Sequence, residues 1–217
     1  MSQGFSDYRL RRFTTGGLGA IVWPMAILKI ARMGHPVLAD TAELVDDPKA
    51  PEIRHLIADM LDTMDDAAGA GLAAPQVHVP LRVVIFHVPQ SRSDAGEDED
   101  EAVALTILIN PEIEVLDDTL SYGMEGCLSV PGLMGEVPRY NRIRYRGFDP
   151  FGNEFQCEAS GFHARVVQHE CDHLDGILYP MRMTDLSTLT FTSELGRSTL
   201  DEEDDDDELS VPTSNDE

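Results

Sequence analysis

Cysteine and basic residues are scarce in this chain of 217 residues, and each shortage excludes something. Three cysteines, Cys127, Cys157 and Cys171, are too few and too unevenly placed for a disulfide framework; they suit a reducing cytosol, so a cytoplasmic location is expected. Lys and Arg number 16 against 40 Asp and Glu, giving a net charge of -24. Nonspecific binding to nucleic acid needs Lys and Arg to displace counterions from phosphates, so direct nucleic-acid binding is not expected. No apolar run approaches the ~20 residues that a bilayer span requires, so no membrane segment is expected.

What the chain does have is 42% hydrophobic residues, enough for one domain with a core. The acidity is segmental. Residues 97–101 contribute five acids and residues 201–217 ten, with no base in either stretch. These compositions divide the chain into a flexible N-terminal arm at 1–24, a catalytic domain at 25–190 and an acidic, disordered tail at 191–217. Arg9, Arg11 and Arg12 ahead of an apolar stretch resemble a secretory signal, but Lys29 and Arg32 interrupt it. An arm, or a working start at Met25, is the expectation.

Pro51 opens a helix whose apolar residues Ile53, Leu56, Ile57, Met60, Leu61 and Met64 repeat at helical spacing, closing near Gly69. The β-branched stretch 81–88 reads as a strand, and 105–116 as one or two strands with a break at Pro111. Segments 142–148 and 154–159 flank the turn Asp149-Pro150-Phe151-Gly152-Asn153 and read as a hairpin. A helix over 162–174 carries Phe162, Val166, His169 and His173 on one stripe, with Arg165, Gln168, Asp172 and Asp175 opposite. The expected fold is α+β, a mostly antiparallel sheet wrapped around a buried C-terminal metal-binding helix.

The stretch Gln168-His169-Glu170-Cys171-Asp172-His173 holds the clearest chemistry. Two histidines four apart on a helix point the same way and can share one metal ion, with Glu170 placed to move protons. A catalytic metal usually takes a third protein ligand and keeps one position for water. The pattern HExxHxxGxxH fails, because Gly176 fits but the last histidine is replaced by Tyr179. Glu194 is available downstream but lacks a helical motif around it.

Upstream, Cys127 in Glu125-Gly126-Cys127-Leu128-Ser129 offers a thiolate that would complete a Cys/His/His set. The segment Gly71-Leu72-Ala73-Ala74-Pro75-Gln76 adds small residues that let backbone approach a ligand, and a glutamine able to donate a hydrogen bond. On its own, Gln76 reads better as a loop residue bonding its own backbone. Glu125 reads either as an acid that orients the site from behind or as an ordinary strand-end acid. Gly126 and Gly132 read as turn glycines, and Cys157 and Cys171 as small apolar residues.

Taken together, Gly69-Ala70-Gly71-Leu72-Ala73-Ala74-Pro75-Gln76, Glu125 to Ser129 and Gln168 to Gly176 resemble, in order and spacing, the motifs GxGLAAxQ, EGCLS and QHExDHLxG of the peptide deformylase family. The similarity spans about residues 25 to 185. It implies hydrolysis of the formyl group of N-formylmethionyl peptides on nascent chains. It implies one metal ion per chain, held by Cys127, His169 and His173, with Glu170 as general base and acid. Gln76 and the Leu128 backbone N–H would stabilise the oxyanion. Ala70 and Gly71 would offer backbone groups to the peptide, and Phe162 and Val166 would line a methionine pocket.

The ligand types suit Zn(II) and also Fe(II), and the resemblance puts Fe(II) first. One departure concerns Met134, which stands where many family members carry an arginine; the nearest arginine is Arg139. The tail is acidic where a ribosome-docking segment would be basic. Two rival readings are a zinc protease that uses Glu194 and a catalytically silent metal-binding module.

Overall fold

The computed structural model describes residues 26–88 and 102–195. The expected arm at 1–24, the acidic run at 97–101 and the tail beyond 195 lie outside the described residues. Among the described residues the chain forms two α-helices and one six-stranded sheet. The elements are α1 (Pro51–Asp66), β1 (Gly71–Ala73), β2 (Val83–Val88), β3 (Val103–Cys127), β4 (Val130–Phe148), β5 (Glu154–Ser160), α2 (Gly161–Leu174) and β6 (Thr190–Phe191). The sheet is antiparallel in the order β1-β2-β3-β4-β5, with β6 pairing to β4.

Of the periodic residues read from the sequence, α1 buries all but Leu56, which is half-buried. Pro51 starts it, where a missing N–H costs nothing, and Ile53, Ile57, Met60, Leu61 and Met64 pack inward. Strand β2 is buried on both faces: Val83 and Ile85 meet α1, while Val84 and Phe86 meet α2. The sheet therefore does more than wrap around one helix. Its β1–β3 portion is sandwiched between two, which accounts for an apolar run without alternation.

Pro111 does not break β3, contrary to expectation. The ladder to β4 shifts register between Ile109 and Glu112, and a bulge tolerates a residue with no N–H to give. Asn110 just before it takes a left-handed φ of 53°, held by side-chain bonds to the Val45 N–H and C=O at 2.9 Å each. From there β3 and β4 continue as a long hairpin over residues 117–141, which the sequence reading left unassigned. Its two-residue turn is Leu128-Ser129, so Cys127 pairs with Val130 at the tip.

Gly126 is consequently a strand residue opposite Met134, not a turn glycine. Gly132 has a φ of +79° in the short excursion where β4 leaves register. The shorter β4–β5 hairpin forms as read, with Asp149 Oδ1 accepting from the Phe151 and Asn153 N–H groups. The domain boundary expected at residue 190 falls inside β6, whose Phe191 pairs with Leu133.

Helix α2 packs against β2 and β4 and is buried on nearly all sides. Arg165, Gln168 and Asp172, read as its opposite polar face, are only 7–8% exposed and bond to protein. Gly176 ends the helix with a φ of +71°, and a Cβ there would stand 2.5 Å from the Ala39 carbonyl oxygen. Ala42 N–H donates to the Leu174 carbonyl at 2.8 Å alongside. Gly176→Ala is therefore expected to destabilise the fold by about 1–3 kcal/mol through strain at a left-handed position, read as a lower urea midpoint with unchanged slope.

Candidate metal centre

The three segments with candidate chemistry meet at one cavity of about 450 Å³. Its walls include Ala70 just before β1, Gly71 at its start and Gln76 in the turn after it, Glu125, Cys127 and Leu128 from the β3–β4 tip, and five residues of α2. Those five, Phe162, Arg165, Val166, His169 and Glu170, follow the helical repeat i, i+3, i+4, i+7, i+8 and so form one stripe. Arg165 therefore belongs to the cavity face, although its spacing from the histidines suggested the other side.

Cys127 Sγ lies 3.3 Å from His173 Nε2. One ligand atom each from Cys127, His169 and His173 falls within a mutual 4.8 Å. Tetrahedral coordination at usual metal–sulfur and metal–nitrogen lengths needs sulfur and nitrogen about 3.5 Å apart. The donor set thus fits a divalent cation in both type and spacing. Glu194 lies outside this group on an exposed turn, with Ser193 Oγ 3.2 Å from its Oε1.

His169 Nδ1 sits 2.8 Å from Glu125 Oε2, a contact that orients the ring and turns Nε2 toward the ligand group. Tyr179 stacks on the His169 ring at 6.3 Å between centroids and 21° between planes. Of the two readings of Glu125, the supporting one matches the geometry. Its carboxylate takes a two-pronged contact from Arg139, at 2.9 and 3.0 Å, and a third from Arg165 Nη1 at 2.9 Å. Arg139 in turn bonds Asp172, which Arg182 also grips at 2.8 Å.

Electrostatics follow from this wiring. Burial would raise the Glu125 carboxyl, but hydrogen bonds from His169 and Arg139 outweigh it and hold the group down at about 2. For His169, burial opposes charge while contacts to Cys127 and Glu125 favour it, and the balance is well above the ordinary histidine value. His173 is driven the other way, by burial and by the His169 charge, which keeps its ring neutral. Burial pushes Glu170 up to about 7.

Glu170 Oε2 is buried with no hydrogen-bond partner, an orphan that a water or cation would satisfy. Its other oxygen explains Gly71, where a Cβ would stand 2.2 Å from Glu170 Oε1. Gln76 bonds at both ends of its amide. Its Oε1 accepts from Ala73 N–H at 2.8 Å, and that bond aims Nε2 at Ser129 Oγ, 3.2 Å away, and Cys127 Sγ, 3.5 Å away.

The family model for polypeptide deformylase matches residues 27–188. The chain belongs to this family. It is 55% identical over 169 residues to peptide deformylase 2 of Ralstonia nicotianae, covering 78% of this chain and 94% of that protein. Identity to peptide deformylase 1 of Bordetella pertussis is 54% over 166 residues, covering 76% and 93%. Among solved structures, peptide deformylase from Ehrlichia chaffeensis superposes with a TM-score of 0.68 at 34% identity, covering 75% of this chain and 91% of that one. The Met-Ala-Ser-bound class I type b enzyme of Acinetobacter baumannii gives 0.67 at 33%, covering 73% and 99%.

Motif reading in the sequence missed Arg139, Arg165, Asp172 and Tyr179. For Arg165 and Asp172 the visible signal was charge on the helix that carries the histidines; Arg139 on β4 and Tyr179 beyond α2 gave none. Arg139, the arginine nearest to Met134, is 4% exposed and spent on Glu125 and Asp172. Glu125→Gln leaves the buried Arg139 and Arg165 without their shared counter-charge and should lower the unfolding midpoint; in the folded variant it should also loosen His169, lowering affinity for a divalent ion about 10- to 100-fold, as competition against a chelating dye measures.

Proposed function

We infer that this chain is a metal-dependent hydrolase that removes the N-terminal formyl group from formyl-methionyl peptides of nascent proteins and releases formate. The observation that carries this reading is the meeting of Cys127, His169 and His173 beside the unpartnered Glu170 carboxylate, in a member of the deformylase family. Bound at the three ligands, a divalent ion would acidify a water and polarise the formyl carbonyl. Fe(II) is the first choice of ion and Zn(II) the second, one per chain.

Glu170 accepts the proton of the attacking water and returns it to the departing nitrogen; a carboxyl raised toward neutrality is suited to both steps. Formate leaves with the oxygen of that water, and the peptide leaves with a free amine. Gln76 Nε2 and the Leu128 N–H donate to the carbonyl oxygen as negative charge builds on it. Gln76 does this without reorganising, because the Ala73 N–H already fixes its amide plane.

Strand β1 is an edge of the sheet among the described residues, so the backbone of Gly71 can pair with an extended peptide. Ala70 C=O already accepts from His87 N–H at 2.9 Å and keeps one lone pair for the same purpose. Phe162 and Val166, two turns and one turn before His169 on the cavity stripe, receive the methionine side chain.

The expected location is the cytoplasm, in line with three free cysteines. No described helix is long and apolar enough to cross a membrane. The partner is the nascent chain itself. An arm before the domain and a solvated acidic tail after it complete the proposed organisation.

Formate release from formyl-Met-Ala peptides by anaerobically purified protein is the test. Glu170→Ala is expected to lose at least ~10² in kcat with its metal retained, and Gln76→Ala about 10² to 10³. Cys127→Ala should lose the metal, whereas a protease relying on Glu194 would keep it. A metal-loaded parent that releases no formate would refute the reading.

A further inference from the structure

Arg165 is the one residue on the cavity stripe of α2 whose chemistry the proposed reaction leaves unused. A guanidinium buried beside an apolar pocket is costly unless its N–H groups are paired. Here Nη1 donates to Val137 O at 2.8 Å, to Glu125 Oε1 at 2.9 Å and to Gly123 O at 3.3 Å, and Nη2 donates to Ser121 O at 2.8 Å. The side chain thus spans both strands of the β3–β4 hairpin and is locked in one position.

Gly123 lies directly beneath it. A Cβ at Gly123 would stand 3.1 Å from Cζ, 3.1 Å from Nη2 and 3.2 Å from Nε. Three nearly equal distances mean that the guanidinium plane rests face-on over the glycine, which is close enough only because the side chain there is hydrogen. Arg165 also lines the cavity beside Phe162 and Val166. With its Nη edges consumed and one face covered, it presents the pocket with a rigid, cationic, planar wall.

Resting on the deformylase reading above, we propose that Arg165 and Gly123 together determine specificity for the first side chain of the substrate. The stacked guanidinium sets the depth of the methionine pocket and keeps cationic side chains out. A fixed wall of this kind discriminates by length. The difference of one methylene in such a pocket is worth about 10- to 200-fold in kcat/KM.

The experiment measures kcat/KM for formyl-X-Ala peptides with X as norvaline, methionine or phenylalanine. Gly123→Ala pushes the guanidinium a few tenths of an ångström away from the strand, toward the cavity, and should lower the Met/norvaline ratio about ten-fold. Arg165→Met removes the wall and should raise the Phe/Met ratio about ten-fold. If the second variant does not fold, the ratio in Gly123→Ala decides alone. Ratios that stay within about two-fold of the parent, whatever happens to kcat, overturn the proposal, because a purely structural role lowers all three substrates together. A parent inactive on formyl-Met-Ala would instead overturn the functional reading beneath it.

Discussion

The Glu125 carboxylate is buried where a charge has no water, and Arg139, Arg165 and His169 around it make that burial tolerable. Each partner comes from a different place: Arg139 from β4, Arg165 and His169 from successive turns of α2. One carboxylate therefore fastens the hairpin to the helix. Cys127 stands two residues beyond Glu125 at the hairpin tip, so the same fastening brings its sulfur to His173. Removing one partner would leave another charge buried and uncompensated, which is why the cluster acts as a unit.

Much of this was legible in the sequence, and the reason is local. The helical stripe 53–64, the apolar run 83–88 and the turn Asp149–Asn153 each declare themselves through spacing that local physics enforces. The histidine pair and Glu170 likewise owe their geometry to one helix. Cys127 and Gln76 lie far from them in the chain, and only the three-motif resemblance joined them before coordinates did. The long hairpin at 117–141 was illegible because its alternation is hidden: glycines, acids and a proline occupy positions that pair across strands or face α2. Arg165 and Asp172 were misplaced for the opposite reason. Polar residues on an amphipathic helix normally mark solvent, but here Arg165 meets Glu125, and Asp172 meets Arg139 and Arg182.

Met134 shows what a motif comparison leaves open. It lines the cavity opposite Gly126, whose missing side chain gives it room, since a Cβ there would come within 3.3 Å of Met134 Cγ. Arg139 cannot take over the duty of an arginine at position 134, because both ends of its fork are occupied away from the cavity. The wall on that side is built from Met124, Leu133 and Met134, and is apolar. That side of the cavity thus offers thioethers and a leucine, which favour contacts of shape and polarisability over a fixed ion pair.

The central claim is that one sulfur and two imidazoles, from distant parts of the chain, close on a single cation. X-ray absorption fine structure of the protein reconstituted with one equivalent of zinc tests it most directly. The account predicts one sulfur scatterer at about 2.3 Å together with two imidazole nitrogens at about 2.0–2.1 Å. A first shell of nitrogen and oxygen with no sulfur would contradict it.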